Sequence, residues 1–330
     1  MSNKKVTIKD VAKQAGYSIA TVSQILNGKG DNFNPDTVAK VLLAKETLDY
    51  EPDYFARHMI MKKSKTIGII VPDITNPFFG SLLQGVENVL YRERFITMLC
   101  NADLDEKKES EYLAELIRRG VDGFIIASSA ISNQTINESL QKKNLPFIVL
   151  DQKKAEGFSD AVLTDDYHGG QLAAEHLKSL GHQKVAVVMP KNATPNIQIR
   201  LNGFRSVFPQ AAVINSAISK TGGRQAAQEI LKKDFSALFA VSDEIAFGLY
   251  LGLKEGGRQI PADYSIVGYD NTEMCEFVTP QLTTVAQPIF ELGQQTAELL
   301  LERIHQPQKA WEEKMLAVKL SKRFSTAPLK

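Results

Sequence analysis

At 330 residues, with 43% hydrophobic and 23% charged side chains and a formal charge of +1, the chain can bury a large α/β core and still leave material for a small second domain. No stretch approaches the ~18 apolar residues of a membrane span, and the charged start MSNKKVTIKD does not read as a secretory leader. Two cysteines, Cys100 and Cys275, are too few for a disulfide framework and lack metal-ligand spacing, so a reducing cytoplasm and no metal or other cofactor are expected.

Charge is unevenly spread. Residues 1–65 hold eleven lysines and arginines against seven acids, so a basic head precedes a slightly acidic body. Within TIKDVAKQAGYSIATVSQILNG (7–28), Thr7 and Asp10 have the spacing of a helix-capping pair. Ile8, Val11, Ala12 and Ala15 then share one helical face, and Gly16 supplies a left-handed stop. Ser18 opens a second helix whose inner stripe is Val22, Ile25 and Leu26. Two short helices across a glycine turn predict a helix-turn-helix, with Ala20 and Gln24 on the outer face and Asn27 near them. Glutamine can pair with adenine through two hydrogen bonds, which makes Gln24 the sharpest candidate for reading a base. Residues 28–36 read as a loop.

A polar, basic connector (51–65) leads to the body, and its segment 53–61 is long enough for only about two helical turns. So short a helix is marginal alone and needs a partner, either its twin or DNA. From Thr66 strands are predicted at 66–72, 95–101, 121–127, 146–151, 184–190, 237–242 and 265–270. Helical patterns, among them 80–94, 109–120, 169–181 and 224–234, separate them. Continuous apolar strands alternating with helices predict an α/β, doubly wound parallel-sheet body, long enough to divide into two lobes.

Ligands of such sheets sit beyond the C-terminal strand ends. The polar residues found there are Asp73, Asn76, Asp151, Asp165, Ser242, Asp243, Asp270 and Asn271. Asn76 beside Phe78 and Phe79 offers ring faces and an amide, which suits a sugar, and Asp151, Asp270 and Arg200 add hydrogen-bonding arms.

The head resembles that of the lactose/galactose-repressor family of transcription regulators, and the later phrases agree in order. YEPDYFAR (50–57) resembles the family's hinge and TIGIIVPDITNPFF (66–79) its first core strand. RLNGF (200–204), SDEIAFG (242–248), IVGYDN (266–271) and LTTVAQP (282–288) follow. The resemblance implies a helix-turn-helix head (1–50), a hinge (51–65) and a two-lobed body like periplasmic binding proteins (66–330). Lobe 1 is expected at about 66–164 and 289–314, and lobe 2 at about 165–287 and 315–330. It implies base reading by Ile19, Ala20 and Gln24, and phosphate contacts near Ser18, Thr21, Ser23 and Asn27, with Thr7 capping toward the DNA backbone. In the hinge it points to Arg57 and to Met59, which stands where relatives wedge a leucine into the minor groove. The pocket it implies holds Asn76, Phe78, Phe79, Asp151, Gln152, Asp166, Arg200, Ser242, Asp243, Asp270 and Gln287. The NPFF phrase is similar to ribose-operon repressors, but Gln152 replaces the arginine frequent in them, so pentose, hexose and sugar phosphate stay open.

The expected partners are a pseudo-palindromic double-stranded operator, a small effector, a second copy of the chain and, as a further option, a protein corepressor. Three alternatives compete. An enzyme is opposed by the lack of G-x-S-x-G, of G-x-x-x-x-G-K-[ST] and of H-E-x-x-H, and the five histidines lie apart. An extracytoplasmic solute-binding protein should lack the head. A purine-responsive repressor of the same family differs in the sign of its ligand response, which the residues leave open.

Overall fold

The computed structural model describes residues 6–51, 63–127, 132–150 and 159–329. The hinge candidates Arg57 and Met59 and the pocket candidates Asp151 and Gln152 lie outside the described residues. The chain divides into two compact units, Met1–Ser64 and Lys65–Lys330.

The first unit is all-helical. Helix α1 (Ile8–Ala15) starts where the Thr7 backbone N–H and hydroxyl both donate to Asp10 Oδ2, at 2.8 and 2.7 Å. It ends at Gly16, whose φ of 75° lies in the left-handed region that glycine occupies without steric cost. Ser18 caps α2 (Ile19–Leu26) by accepting the Thr21 N–H at 3.1 Å. The segment read as a loop holds one 3-10 turn (Gly30–Asn32) and leads to a third helix, α3 (Pro35–Thr47), with Asn34 as its cap and Pro35 at its first position. Val11, Ala12, Val22, Ile25, Val41, Ala44 and Tyr50 form the shared core.

The second unit contains two six-stranded sheets. The first comprises β1 (Thr66–Val71), β2 (Ile96–Asn101), β3 (Gly123–Ile126), β4 (Phe147–Leu150), β5 (Asp160–Thr164) and β11 (Glu313–Leu316), in the order β11-β5-β4-β3-β1-β2, with every pairing parallel. The second comprises β6 (Val185–Met189), β7 (Ala212–Asn215), β8 (Ala237–Ala240), β9 (Ser265–Asp270), β10 (Thr283–Ala286) and β12 (Lys319–Ser321), in the order β12-β10-β9-β8-β6-β7. Only β12 runs antiparallel to its neighbour. Central strands such as β1 and β9 are buried along their whole length, as sheets covered on both faces require.

The connecting helices are α4 (Pro77–Arg92), α5 (Glu106–Arg118), α6 (Asn133–Ser139), α7 (Asp166–Ser179), α8 (Pro195–Val207), α9 (Lys220–Ile230), α10 (Asp243–Glu255) and α11 (Ile289–His305). The chain passes from the first sheet to the second after β5, returns after β10 into α11, whose Leu292, Leu299 and Leu300 share a core with Phe78, Phe79 and Leu82, and crosses again between β11 and β12. Met315 and Leu316 pair with β5, so the switch falls between Leu316 and Lys319. Among the described residues no helix is long and apolar enough to cross a membrane.

Candidate DNA-reading face and effector cavity

On α2, burial of Val22 and Ile25 against the head core turns Ser18, Ile19, Ala20 and Gln24 outward, and Ile19 is 44% exposed despite being apolar. The Ser18 and Thr21 hydroxyls share a hydrogen bond of 2.9 Å, and Asn27 Nδ2 donates to Ser23 Oγ at 3.3 Å. These groups cluster at the two ends of α2, flanking Ala20 and Gln24. Such a face presents a hydrogen-bonding amide and small or apolar side chains to a groove, with hydroxyls beside it for phosphates. Thr7 is exposed, with its hydroxyl committed to Asp10.

The second candidate site is a cavity at the C-terminal strand ends of both sheets. Its walls are Asn76, Phe78 and Phe79 at the start of α4, Asn196, Ile197 and Arg200 on α8, Ile218 after β7, Val241 and Ser242 after β8, Asp270 ending β9, and Gln287 after β10. Asn76 caps α4 by accepting the Phe78 N–H at 3.0 Å. The Phe78 and Phe79 rings meet edge to face, with centroids 5.0 Å apart, which fixes both against the core.

Arg200 is held on three sides. Its Nε donates to Asp166 Oδ1 at 2.7 Å, its Nη1 donates to the Val241 carbonyl at 2.8 Å, and its guanidinium lies over the Tyr269 ring. The Tyr269 hydroxyl donates to the same Asp166 oxygen at 3.0 Å. Burial pushes the Asp166 carboxyl up from the ordinary value while Arg200 pulls it down, and burial likewise raises the Tyr269 phenol. Two glycines permit this geometry. A Cβ on Gly203 would stand 1.9 Å from the Tyr167 carbonyl oxygen, and one on Gly170 would stand 2.0 Å from that of Arg200, so only glycine lets α7 and α8 approach this closely.

Asp270 is the acceptor at the centre of the cavity's polar side. Ser242 Oγ donates to its Oδ2 at 3.1 Å and Gln287 Nε2 to its Oδ1 at 2.7 Å. Thr164 Oγ1 in turn donates to Gln287 Oε1 at 2.7 Å, which links the end of β5 to the Asp270 wall. Asp270 and Asn271 have φ of 119° and 61°, and backbone strain of this kind in non-glycine residues concentrates at binding sites.

Of the pocket residues expected from sequence, the cavity brings together Asn76, Phe78, Phe79, Arg200, Ser242, Asp270 and Gln287. Two are not among its wall residues. Asp166 stands behind Arg200 and lines a second cavity that shares Asn196 with this one. Asp243 is fully buried and turned into the second sheet's core, where Thr272, Thr284 and Cys275 occupy its carboxylate. Asn196, Ile197, Ile218 and Val241 were missed. Asn196 was within reach, as a polar residue opening the helix after a predicted strand; Ile218 follows β7, which the apolar pattern did not reveal. Among the described residues no group of His, Cys, Asp and Glu side chains is arranged to hold a metal ion.

Comparison with known proteins identifies the family of both units. Residues 7–53 match the family described as bacterial regulatory proteins, lacI family, and residues 64–324 match periplasmic binding proteins and sugar binding domain of LacI family. The ribose operon repressor of Escherichia coli is 33% identical over 313 residues, covering 91% of this chain and 94% of that protein. A LacI-family regulator from Enterococcus faecalis, solved with bound ribose, is 67% identical with a TM-score of 0.78, covering 80% of this chain and all of that one. The lac repressor dimer bound to operator and an anti-inducer is 26% identical with a TM-score of 0.87, covering 98% of this chain and 100% of that one. A head of matching helices, a body of two parallel sheets and similarity over nearly the whole length lead to one assignment: the chain belongs to the LacI family and is an effector-controlled, DNA-binding transcriptional regulator.

Proposed function

We propose that the chain is a homodimeric repressor whose operator affinity is set by an unphosphorylated pentose, ribose foremost, bound without turnover. The carrying observation is the make-up of the cavity: two edge-to-face phenylalanines on one side, and Arg200, Ser242, Asp270 and Gln287 on the other. Aromatic faces suit the C–H groups of a sugar ring, and paired donors and acceptors suit its hydroxyls. Among the described wall residues Arg200 is the only cation, and Asp166 already neutralises it. A phosphate dianion would meet the Asp270 carboxylate without a compensating charge, so a neutral polyol fits better than a sugar phosphate. The ribose held by the 67% identical relative supports the same choice over a purine.

In this reading Ile19, Ala20 and Gln24 face base edges, while Thr7, Ser18, Thr21, Ser23 and Asn27 lie toward phosphates. A dimer would present two heads to a pseudo-palindrome. Support for a second copy comes from β2, an edge strand on which Ile96 and Leu99 are 60% and 45% exposed; unpaired apolar edges are normally covered. The effector acts through its different affinity for the two arrangements of the lobes, because only that difference can shift their populations.

The test is operator binding by the full chain, on sites selected from genomic fragments, with ribose, ribose 5-phosphate or hypoxanthine added. Ribose alone should change operator affinity. A response to hypoxanthine and not to ribose would replace this reading with the purine one.

A further inference from the structure

Asp243 follows the cavity residue Ser242 directly, yet its carboxylate is taken up by a buried cluster whose residues do not line the cavity. Its Oδ2 accepts the Thr272 backbone N–H at 2.8 Å, the Thr272 hydroxyl at 3.2 Å and the Cys275 thiol at 3.1 Å, and its Oδ1 accepts the Thr284 hydroxyl at 2.7 Å. The space it fills exists because β9 carries a glycine there, for a Cβ on Gly268 would stand 2.4 Å from Asp243 Oδ1. Thr272 is the residue after the two in left-handed backbone, Asp270 and Asn271. The Asp243–Thr272 bonds therefore close the corner that begins at Asp270. Such a corner is strained in non-glycine residues and persists only where its surroundings hold it.

We propose that Asp243 is a positioning residue of the effector site: by anchoring Thr272 it holds the strained Asp270–Thr272 corner, and so holds the Asp270 carboxylate between Ser242 and Gln287. The inference rests on the reading of the cavity as the ribose site. It predicts that Asp243, though it touches no ligand, acts on affinity through Asp270. Asparagine offers one acceptor oxygen where the carboxylate offers two, so D243N loosens the anchor while nearly preserving shape.

Calorimetric titration of ribose into the full chain, its D243N and D270N variants, the double variant and D160N tests this. Asp160 is an equally buried carboxylate in the other sheet, paired with Arg303 and remote from the cavity, so D160N reports the cost of damaging the fold in general. D243N should weaken ribose about tenfold and D160N less than about twofold, and the double variant should bind no more weakly than D270N, because two residues acting as one unit are not additive. Losses that multiply, or equal effects of D243N and D160N, overturn the proposal. Amide hydrogen exchange provides a readout independent of the ligand. The Thr272 amide should exchange faster in D243N while β8 amides do not change, and unaltered Thr272 exchange also overturns it. Should the unmodified chain bind no ribose, the effector reading fails, and the exchange result alone decides the role of Asp243.

Discussion

The guanidinium carbon of Arg200 lies 3.7 Å from the centroid of the Tyr269 ring, with the ring hydroxyl and Arg200 Nε meeting on a single oxygen of Asp166. Arg200 is thus clamped before any ligand arrives, and its position costs the bound state little further entropy. Replacing Tyr269 with phenylalanine keeps the ring and removes only the hydroxyl, whereas leucine removes the stacking surface. Cation–π contacts in desolvated sites are worth about 2 kcal/mol, so Y269L should weaken ribose by roughly an order of magnitude more than Y269F in calorimetric titration. Equal losses would mean that the hydroxyl, not the ring, does the clamping.

Arg200→Ala has a second consequence. Asp166 would remain buried without its cation, and stranding one partner of a buried pair costs about 3–5 kcal/mol. The melting temperature should fall along with the ribose response, while operator binding below that temperature persists. Loss of operator affinity in a still-folded R200A protein would place Arg200 in the coupling between units and not in the cavity.

Gln24 stands exposed on α2 between the hydroxyl-bearing ends of the helix. Its substitution by alanine should cost about 1–3 kcal/mol on the cognate operator and relax the preference at one base position. Binding to a panel of single-base operator variants gives the check, and a uniform loss over all of them would assign Gln24 to the phosphates instead.

The strands most plainly legible in the sequence are those where burial and apolarity coincide, although β2, predicted at 95–101, is an apolar run with none of its own residues buried. The strands β1, β3, β4, β6, β8 and β9 are buried at every position, so they appear as plain apolar runs. Strand β7 is an edge whose only buried residue is Ile214, and its apolar stretch, Ala211–Ile214, is short and set between polar residues. Strands β5 and β10 hide for the opposite reason. They bury Asp160, Thr164, Thr283 and Thr284, whose polarity is satisfied by partners far along the chain, such as Arg303 and Gln287. At the site, strand-end logic found Asp270 and Ser242 because both face the cavity. It placed Asp243 there too, since nothing local distinguishes a carboxylate aimed at a ligand from one aimed at Thr272 and Thr284, 29 and 41 residues onward.

Asp243 also yields a prediction about pH. Desolvation raises its carboxyl from 3.8 to about 6, against the lowering effect of hydrogen bonds from Thr284, Thr272 and Cys275. The folded state therefore binds this proton more tightly than the unfolded state does. The group's favourable contribution is complete below about pH 4 and is lost as pH rises through about 6. About two pH units correspond to roughly 3 kcal/mol. Burial holds the Cys275 thiol and the Tyr250 phenol neutral well above this window. His176 and His182 oppose the trend. Burial lowers both, so their contribution is lost as pH falls and partly masks that of Asp243 in the intact protein. The difference between the unmodified chain and D243N removes this mask, since both carry the same histidines. Chemical-denaturation curves at intervals from pH 4 to 7.5 should show the stability gap shifting against the unmodified chain as pH rises, with the change centred between 4 and 6. A gap that stays constant with pH would show that Asp243 remains ionised throughout, its four donors outweighing the cost of burial.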